Sequence, residues 1–170
     1  LGLTSMYRFV DLLEKRTDLA ILIGQLKDST LHARLLGKSS LYIEASPEYL
    51  AQYGVPKTAL ELSQHQVIGF TTPKVLNQWP LKGFQPLKPL ITSGNGETIR
   101  QLALNANGVA CLSGFMVQKD IEEGRLVSLL EDQKLHNTER ELVNAVYYKS
   151  STVARRIPAF VDFIQPRLTL

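Results

Sequence analysis

The sequence is poor in the residues that most often mark chemistry. One cysteine, Cys111, stands among 170 residues, so no internal disulfide can form and the thiol content fits a reducing cytoplasm. Long apolar runs are missing too. None approaches the roughly 20 residues that a membrane-crossing helix needs, so no membrane partner is expected. Charge of one sign is scarce: 19 Lys and Arg stand against 16 Asp and Glu, a formal charge of +3. The nearest thing to a basic stripe is Arg155-Arg156, so this segment has no footprint for holding nucleic acid by itself. Gly-x-Ser-x-Gly, Walker, His-Glu-x-x-His and Cys-x-x-Cys patterns are all absent, which leaves no signature for nucleophilic hydrolysis, nucleotide hydrolysis or a structural zinc. His32, His65 and His136 stand far apart without a second ligand at metal spacing. No catalytic residue, metal site or cofactor is expected. The chain opens on Leu-Gly-Leu-Thr-Ser, with no initiator Met and no cleavage pattern, and reads as cut from something longer.

What is present is an alternation of short apolar runs with short amphipathic ones. Leu1 and Leu3 alternate like the end of a strand, and Ser5 stands where a helix cap belongs before residues 7–16. Phe9, Leu12, Leu13 and Arg16 then recur at helical spacing. Residues 18–24 form a continuous apolar run closed by Gly24, which predicts a strand buried on both faces of a parallel sheet. Strands are predicted at 31–36 and 41–45. Ser46-Pro47 opens a helix that Gly54 stops, and Thr58 with Glu61 forms a capping box for another. A strand at 67–70 breaks at Thr71-Thr72-Pro73. Residues 74–89 read as loop, with Trp79 as a core anchor or a lid aromatic. Residues 90–92 form a strand, and Ile99, Leu102, Ala103 and Ala106 mark the helix after it, closed by Asn107-Gly108. Strands at 109–112, 126–130 and 141–148 follow, with a helix at 116–123 between the first two. Pro158 sits inside a final helical pattern at 151–164, where a kink or restart is expected because the ring removes a hydrogen bond.

Strands alternating with short helices give an α/β fold with largely parallel sheets. In such sheets small molecules bind at the C-terminal ends of strands, beside helix N-termini. Three loci qualify: 5–7, 71–73 and 93–97. Gly94-Asn95-Gly96 resembles the start of a dinucleotide fingerprint, but Ile99 replaces the glycine that lets helix and strand approach. The milder expectation is that N–H groups at this helix start favour a carboxylate or another anion, with Glu97 as the competitor for the same donors. Thr71 and Thr72 serve either as ligand hydroxyls or as local turn bonds. Cys111, inside an apolar strand, reads as a core thiol.

Four stretches resemble the effector-binding domain of LysR-type transcriptional regulators. They are the run from Val10 to Gly24, the Leu41-Tyr-Ile-Glu-Ala-Ser-Pro-Glu-Tyr-Leu-Ala51 segment, the segment from Asn95 to Phe115, and the run from Ala145 to Phe163 with Phe160-Val-Asp-Phe-Ile164. The resemblance implies two Rossmann-like α/β lobes with a cleft between them, like type 2 periplasmic binding proteins. The first lobe would hold 1–46 with 145–170, and the second 47–144. It implies a small-molecule inducer in the cleft, carboxylate among the options, lined by Ser5, Thr71, Thr72, Pro73, Asn95, Glu97, Ser113 and Phe115. It further implies a bacterial cytoplasmic protein, dimeric or tetrameric, that meets DNA only through a helix-turn-helix domain absent from this chain. One departure stands out: the family's first strand and helix are missing here, which would leave a sheet edge open. The competing class is a solute-binding protein of a transport system, separated from a regulator by a signal peptide or a helix-turn-helix upstream. An enzyme has no residue group here to carry turnover.

Overall fold

The computed structural model describes residues 18–24, 31–83, 86–148 and 156–170, and within them the apolar runs become strands. In chain order these are β1 (Ala20–Ile23), β2 (Leu31–Lys38), β3 (Leu41–Ala45), α1 (Pro47–Tyr53), β4 (Ile68–Phe70), β5 (Ile91–Ser93), α2 (Gly96–Leu104), β6 (Ala110–Ser113), α3 (Gly114–Glu122), β7 (Val127–Leu129), β8 (Leu142–Tyr148) and α4 (Ile157–Ile164). The chain divides into two compact units, one holding residues 41–136 and the other the described parts of 18–40 with 137–170. The strand expected at 1–3, the helix at 7–16 and Ser5 lie outside the described residues.

In the 41–136 unit, β3 runs antiparallel between β6 and β7, while β4 and β5 pair in parallel. A parallel bridge between Val67 and Val109 joins the two sets. It is held by the Ile68 N–H to Val109 O bond (2.9 Å) and the Val109 N–H to Gln66 O bond (2.8 Å). The strand order across this seam is therefore β5-β4-β6-β3-β7, with β4, β5 and β6 all pointing one way. Period-two alternation sorts their side chains. Leu41, Ile43, Ala45, Val67, Val109 and Cys111 join Tyr49, Leu62 and Trp79 in one core. Ile68, Phe70, Ala110 and Leu112 face the other way, into Ile99 and Ala103 of α2 and Val117 of α3. Burial on both faces is what makes these strands continuously apolar in sequence. Trp79 is 5% exposed and Cys111 3%, so both belong to the core.

Local signals fix the helix ends. Ser46 Oγ accepts the Tyr49 N–H at 3.2 Å, with Pro47 at the first helical position. Thr58 Oγ1 accepts the Glu61 N–H, and Glu61 reaches back to the Lys57 N–H, opening a single 3-10 turn over Leu60–Gln64. Tyr49 Oη accepts the Gln66 N–H and meets His65 Nδ1 at 3.2 Å. Burial lowers the His65 pKa and so disfavours its charged form.

In the other unit β8 lies between β1 and β2, antiparallel to both. The α4 residues Ile157 and Val161 pack on Leu36, Val143 and Ala145. Pro158 stands in the first turn of α4, where its missing N–H is unneeded; residues 151–155 of the expected helix lie outside the described residues. The expectation of largely parallel sheets fails here. β1 is an antiparallel strand at one end of the described sheet, with Ile21 and Ile23 exposed, instead of a strand buried in a parallel one. Parallel pairing requires a crossover that returns to the same sheet. The chain leaves one unit after Ser40 and returns at Asn137, so β3 and β8 enter their sheets free of that constraint.

The seam between β4 and β6 depends on Gly108. Its φ is +148°, and a Cβ there would lie 2.4 Å from the Gln66 carbonyl oxygen that accepts the Val109 N–H. Gly108→Ala is therefore expected to cost about 2 kcal/mol, in the range of a strained backbone position. Urea unfolding followed by circular dichroism measures this, and an unchanged midpoint would show that the seam yields without cost.

Candidate functional site

Because β4, β5 and β6 are parallel, their C-terminal ends lie on one edge of the sheet, with β4 in the middle. The β4 exit is fixed by backbone bonds. The Thr71 N–H donates to Ser93 O at 3.0 Å, tying it to the end of β5. Asn77 closes the following loop, accepting the Phe70 N–H at 2.7 Å and donating to Phe70 O at 2.8 Å. A Cβ on Gly69 would come within 2.7 Å of that Asn77 oxygen, so glycine is what allows the loop to fold back. Between these anchors run Thr71, Thr72 and Pro73, joined by a cis Thr72–Pro73 bond. Both threonines are exposed and Pro73 is half-buried.

At the β5 exit, Ser93 Oγ accepts the Asn95 N–H at 3.1 Å. Asn95 Oδ1 in turn accepts the N–H groups of Glu97 (2.8 Å) and Thr98 (3.3 Å). The first-turn donors of α2 are thereby taken by the helix's own cap. Glu97 does not compete for them; its carboxylate accepts from Arg100 and Gln101, each at 2.8 Å. Two of the N–H groups expected to face an anion at this helix start, those of Glu97 and Thr98, are thus bonded to the helix's own cap.

At the β6 exit, Ser113 pairs in register with Leu41 and leads directly into α3. Its backbone is extended (φ −73°, ψ 146°), as a capping residue requires, but its side chain makes no capping bond. Phe115, in the first turn of α3, is 43% exposed. The strand ends thus bring Thr71, Thr72, Pro73, Asn95, Glu97, Ser113 and Phe115 to one edge, while Ser5 lies outside the described residues.

Sequence reasoning missed the group that ties the two helices of this edge together. Asp120, with a fully buried side chain, receives Arg100 Nε at 2.6 Å and a second Arg100 nitrogen at 2.8 Å. From the other side come Arg125 Nε at 2.9 Å and its terminal nitrogen at 2.6 Å. Arg100 belongs to α2 and Asp120 to α3. Burial works against the Asp120 charge, but the hydrogen bonds and charges of Arg100 and Arg125 outweigh it and hold the carboxyl below its ordinary range. The sequence signal was an acid on the apolar stripe of α3, three residues after Val117. An acid buried at such a position needs a partner. Among the described residues no helix is long and apolar enough to cross a membrane.

Residues 1–169 match the family described as the LysR substrate binding domain. The chain is 42% identical over 172 residues to the HTH-type transcriptional regulator CrgA of Neisseria meningitidis, covering 99% of this chain and 57% of that protein. It is 30% identical over 168 residues to the HTH-type transcriptional regulator PtxR of Pseudomonas aeruginosa, covering 95% of this chain and 52% of that protein. The chain therefore spans little more than half the length of these relatives. Its structure is similar to the CrgA regulatory domain with a TM-score of 0.85 and 40% identity, covering 94% of this chain and 79% of that one.

The Asp120 cluster yields a pH-resolved expectation. Asp120→Asn keeps the shape but removes the charge shared by Arg100 and Arg125. Both arginines reach solvent, so the cost should be about 2 kcal/mol, below the ~3–5 of a fully enclosed pair. A carboxylate with a depressed folded-state pKa contributes stability above its unfolded value of ~3.9 and loses it as acid titrates the folded form. Urea midpoints of wild type and variant should thus differ at neutral pH and converge below about pH 4. A gap that stays constant with pH would assign the effect to packing.

Proposed function

This chain belongs to the LysR substrate-binding-domain family, and we propose that it is the effector-sensing part of a transcriptional regulator whose DNA contacts are made by a helix-turn-helix domain elsewhere in the protein. The observation that carries this reading is the gathering of three parallel strand ends on one sheet edge. That edge is where open α/β sheets bind small molecules, and this one offers exposed hydroxyls and an exposed aromatic ring. The relatives are named as regulators, which supports a sensing role over turnover.

The effector we propose is a small molecule with a carboxylate or comparable anionic group and an apolar body. With α2 capped by Asn95, the anion is assigned to the hydroxyls of Thr71 and Thr72 and to the start of α3. The helix dipole favours negative charge there, and the Ser113 side chain makes no capping bond of its own. Phe115 supplies the apolar contact. Binding acts on DNA affinity by population shift, limited by the effector's differential affinity for the two arrangements it selects between. The protein is read as cytoplasmic and as a homodimer or homotetramer.

A thermal-shift screen of metabolites on the intact protein identifies an effector, and titration calorimetry then tests the edge. Thr71→Val should weaken binding by up to about tenfold, the worth of one hydrogen bond, without changing stability. Asn95→Ala is less clean, since loss of the cap alone costs about 1 kcal/mol. Wild-type affinity in both Thr71→Val and Phe115→Ala would overturn the assignment of the edge.

A further inference from the structure

Glu44 is the fourth of the five residues of β3, on the face turned from the Leu41, Ile43 and Ala45 core toward α2 and α3. It is wholly buried, and neither carboxyl oxygen has a hydrogen-bond partner. Across the sheet it is in register with Ala110 of β6 and Ser128 of β7, neither of which titrates. The Ser128 hydroxyl donates to Glu131. The ionisable groups of the surrounding elements are already engaged. Arg100 of α2 holds Asp120 and Glu97, and Arg125 holds Asp120 and Glu123. Lys134 holds Glu131 and lies over the ring of Tyr42, the other β3 residue of this face. The charged group that acts on Glu44 from α3 is Asp120, an acid. Among the described residues no cation is left for Glu44, and a buried carboxylate without one is too costly to persist.

We propose that Glu44 is a proton switch, neutral while β3 is packed beneath α2 and α3, whose ionisation beside Asp120 loosens these helices. Burial, and after it the charge of Asp120, raises its pKa well above the ordinary range. The Leu112 amide offsets part of this without making a hydrogen bond of ordinary geometry. A raised folded-state pKa gives stability that is complete below the unfolded value of ~4.3 and declines as pH rises toward the folded value. Asp120 fixes α2 to α3, and both helices begin on the strand-end edge. Ionising Glu44 therefore also weakens effector binding there, a consequence that rests on the function proposed above.

The test needs no effector. Urea unfolding of the protein is followed through Trp79, the one tryptophan of the chain, from pH 5 to pH 9. The unfolding constant of wild type should rise by up to about tenfold per pH unit relative to Glu44→Gln, the effect of one proton released on unfolding. Equal slopes in wild type and Glu44→Gln overturn the switch and leave the effector reading untouched. If Glu44→Gln does not fold, Glu44→Met replaces it, with the same two outcomes. With an effector in hand, wild-type affinity should fall on the alkaline side and that of the folded variant should not; parallel affinity profiles overturn the link to binding.

Discussion

The parallel seam between β4 and β6 is only two backbone bonds wide, Ile68 to Val109 and Val109 to Gln66, yet the geometry of the edge depends on it. Without it only side-chain packing under α2 would join the β4-β5 pair to the β6-β3-β7 sheet. Val67 and Val109 bury their side chains in the same core, so the seam gains apolar burial as well as hydrogen bonds. Its narrowness explains why a glycine with no Cβ stands at its mouth. The carbonyl of Gln66 must come closer to position 108 than any side chain permits.

The same helical layer that covers this sheet handles two buried acids in opposite ways. Asp120 is paired on both sides, keeps its charge and ties α2 to α3. Glu44, with no ion-pair partner among the described residues, is the acid proposed to stay neutral. The two outcomes are coupled, since the arginines cannot serve both acids and each carboxylate's charge disfavours the other's. Asp120 takes the arginines because Arg100 and Arg125 both reach solvent while touching it, which keeps their desolvation small. Glu44, on β3 and wholly buried, offers no such compromise.

Legibility in the sequence followed the range of the interaction. Ser46-Pro47, the Thr58 and Glu61 box and the break at Thr71-Thr72-Pro73 were readable because caps and breaks are written within a few residues. The strand ends that form the edge were readable for the same reason. The antiparallel order β1-β8-β2 was not, because pairing residue 21 with residue 145 leaves no local trace. Asp120 and Glu44 were passed over because each looked like an ordinary polar position in a short element. Only the partners brought by the fold separate a paired acid from an orphaned one. At the start of α2 the cap itself was not read from the sequence. The residue that made the turn look like a ligand site, Asn95, is itself the ligand of its own helix.

On the function proposed above, the capped start of α2 shapes what the edge selects. A helix start whose donors are already satisfied still presents a dipole, but it lacks N–H groups with which to fix the position of an anion. Discrimination must then come from side chains at the exits of β4 and β6. Hydroxyls such as those of Thr71 and Thr72 both donate and accept, so they read the pattern of polar atoms on a ligand and not only its charge. An exposed ring at Phe115 adds a requirement for apolar surface next to those polar atoms. For the effector site proposed at this edge, a bare inorganic anion is a poor match, since it offers acceptors but nothing for the ring to cover.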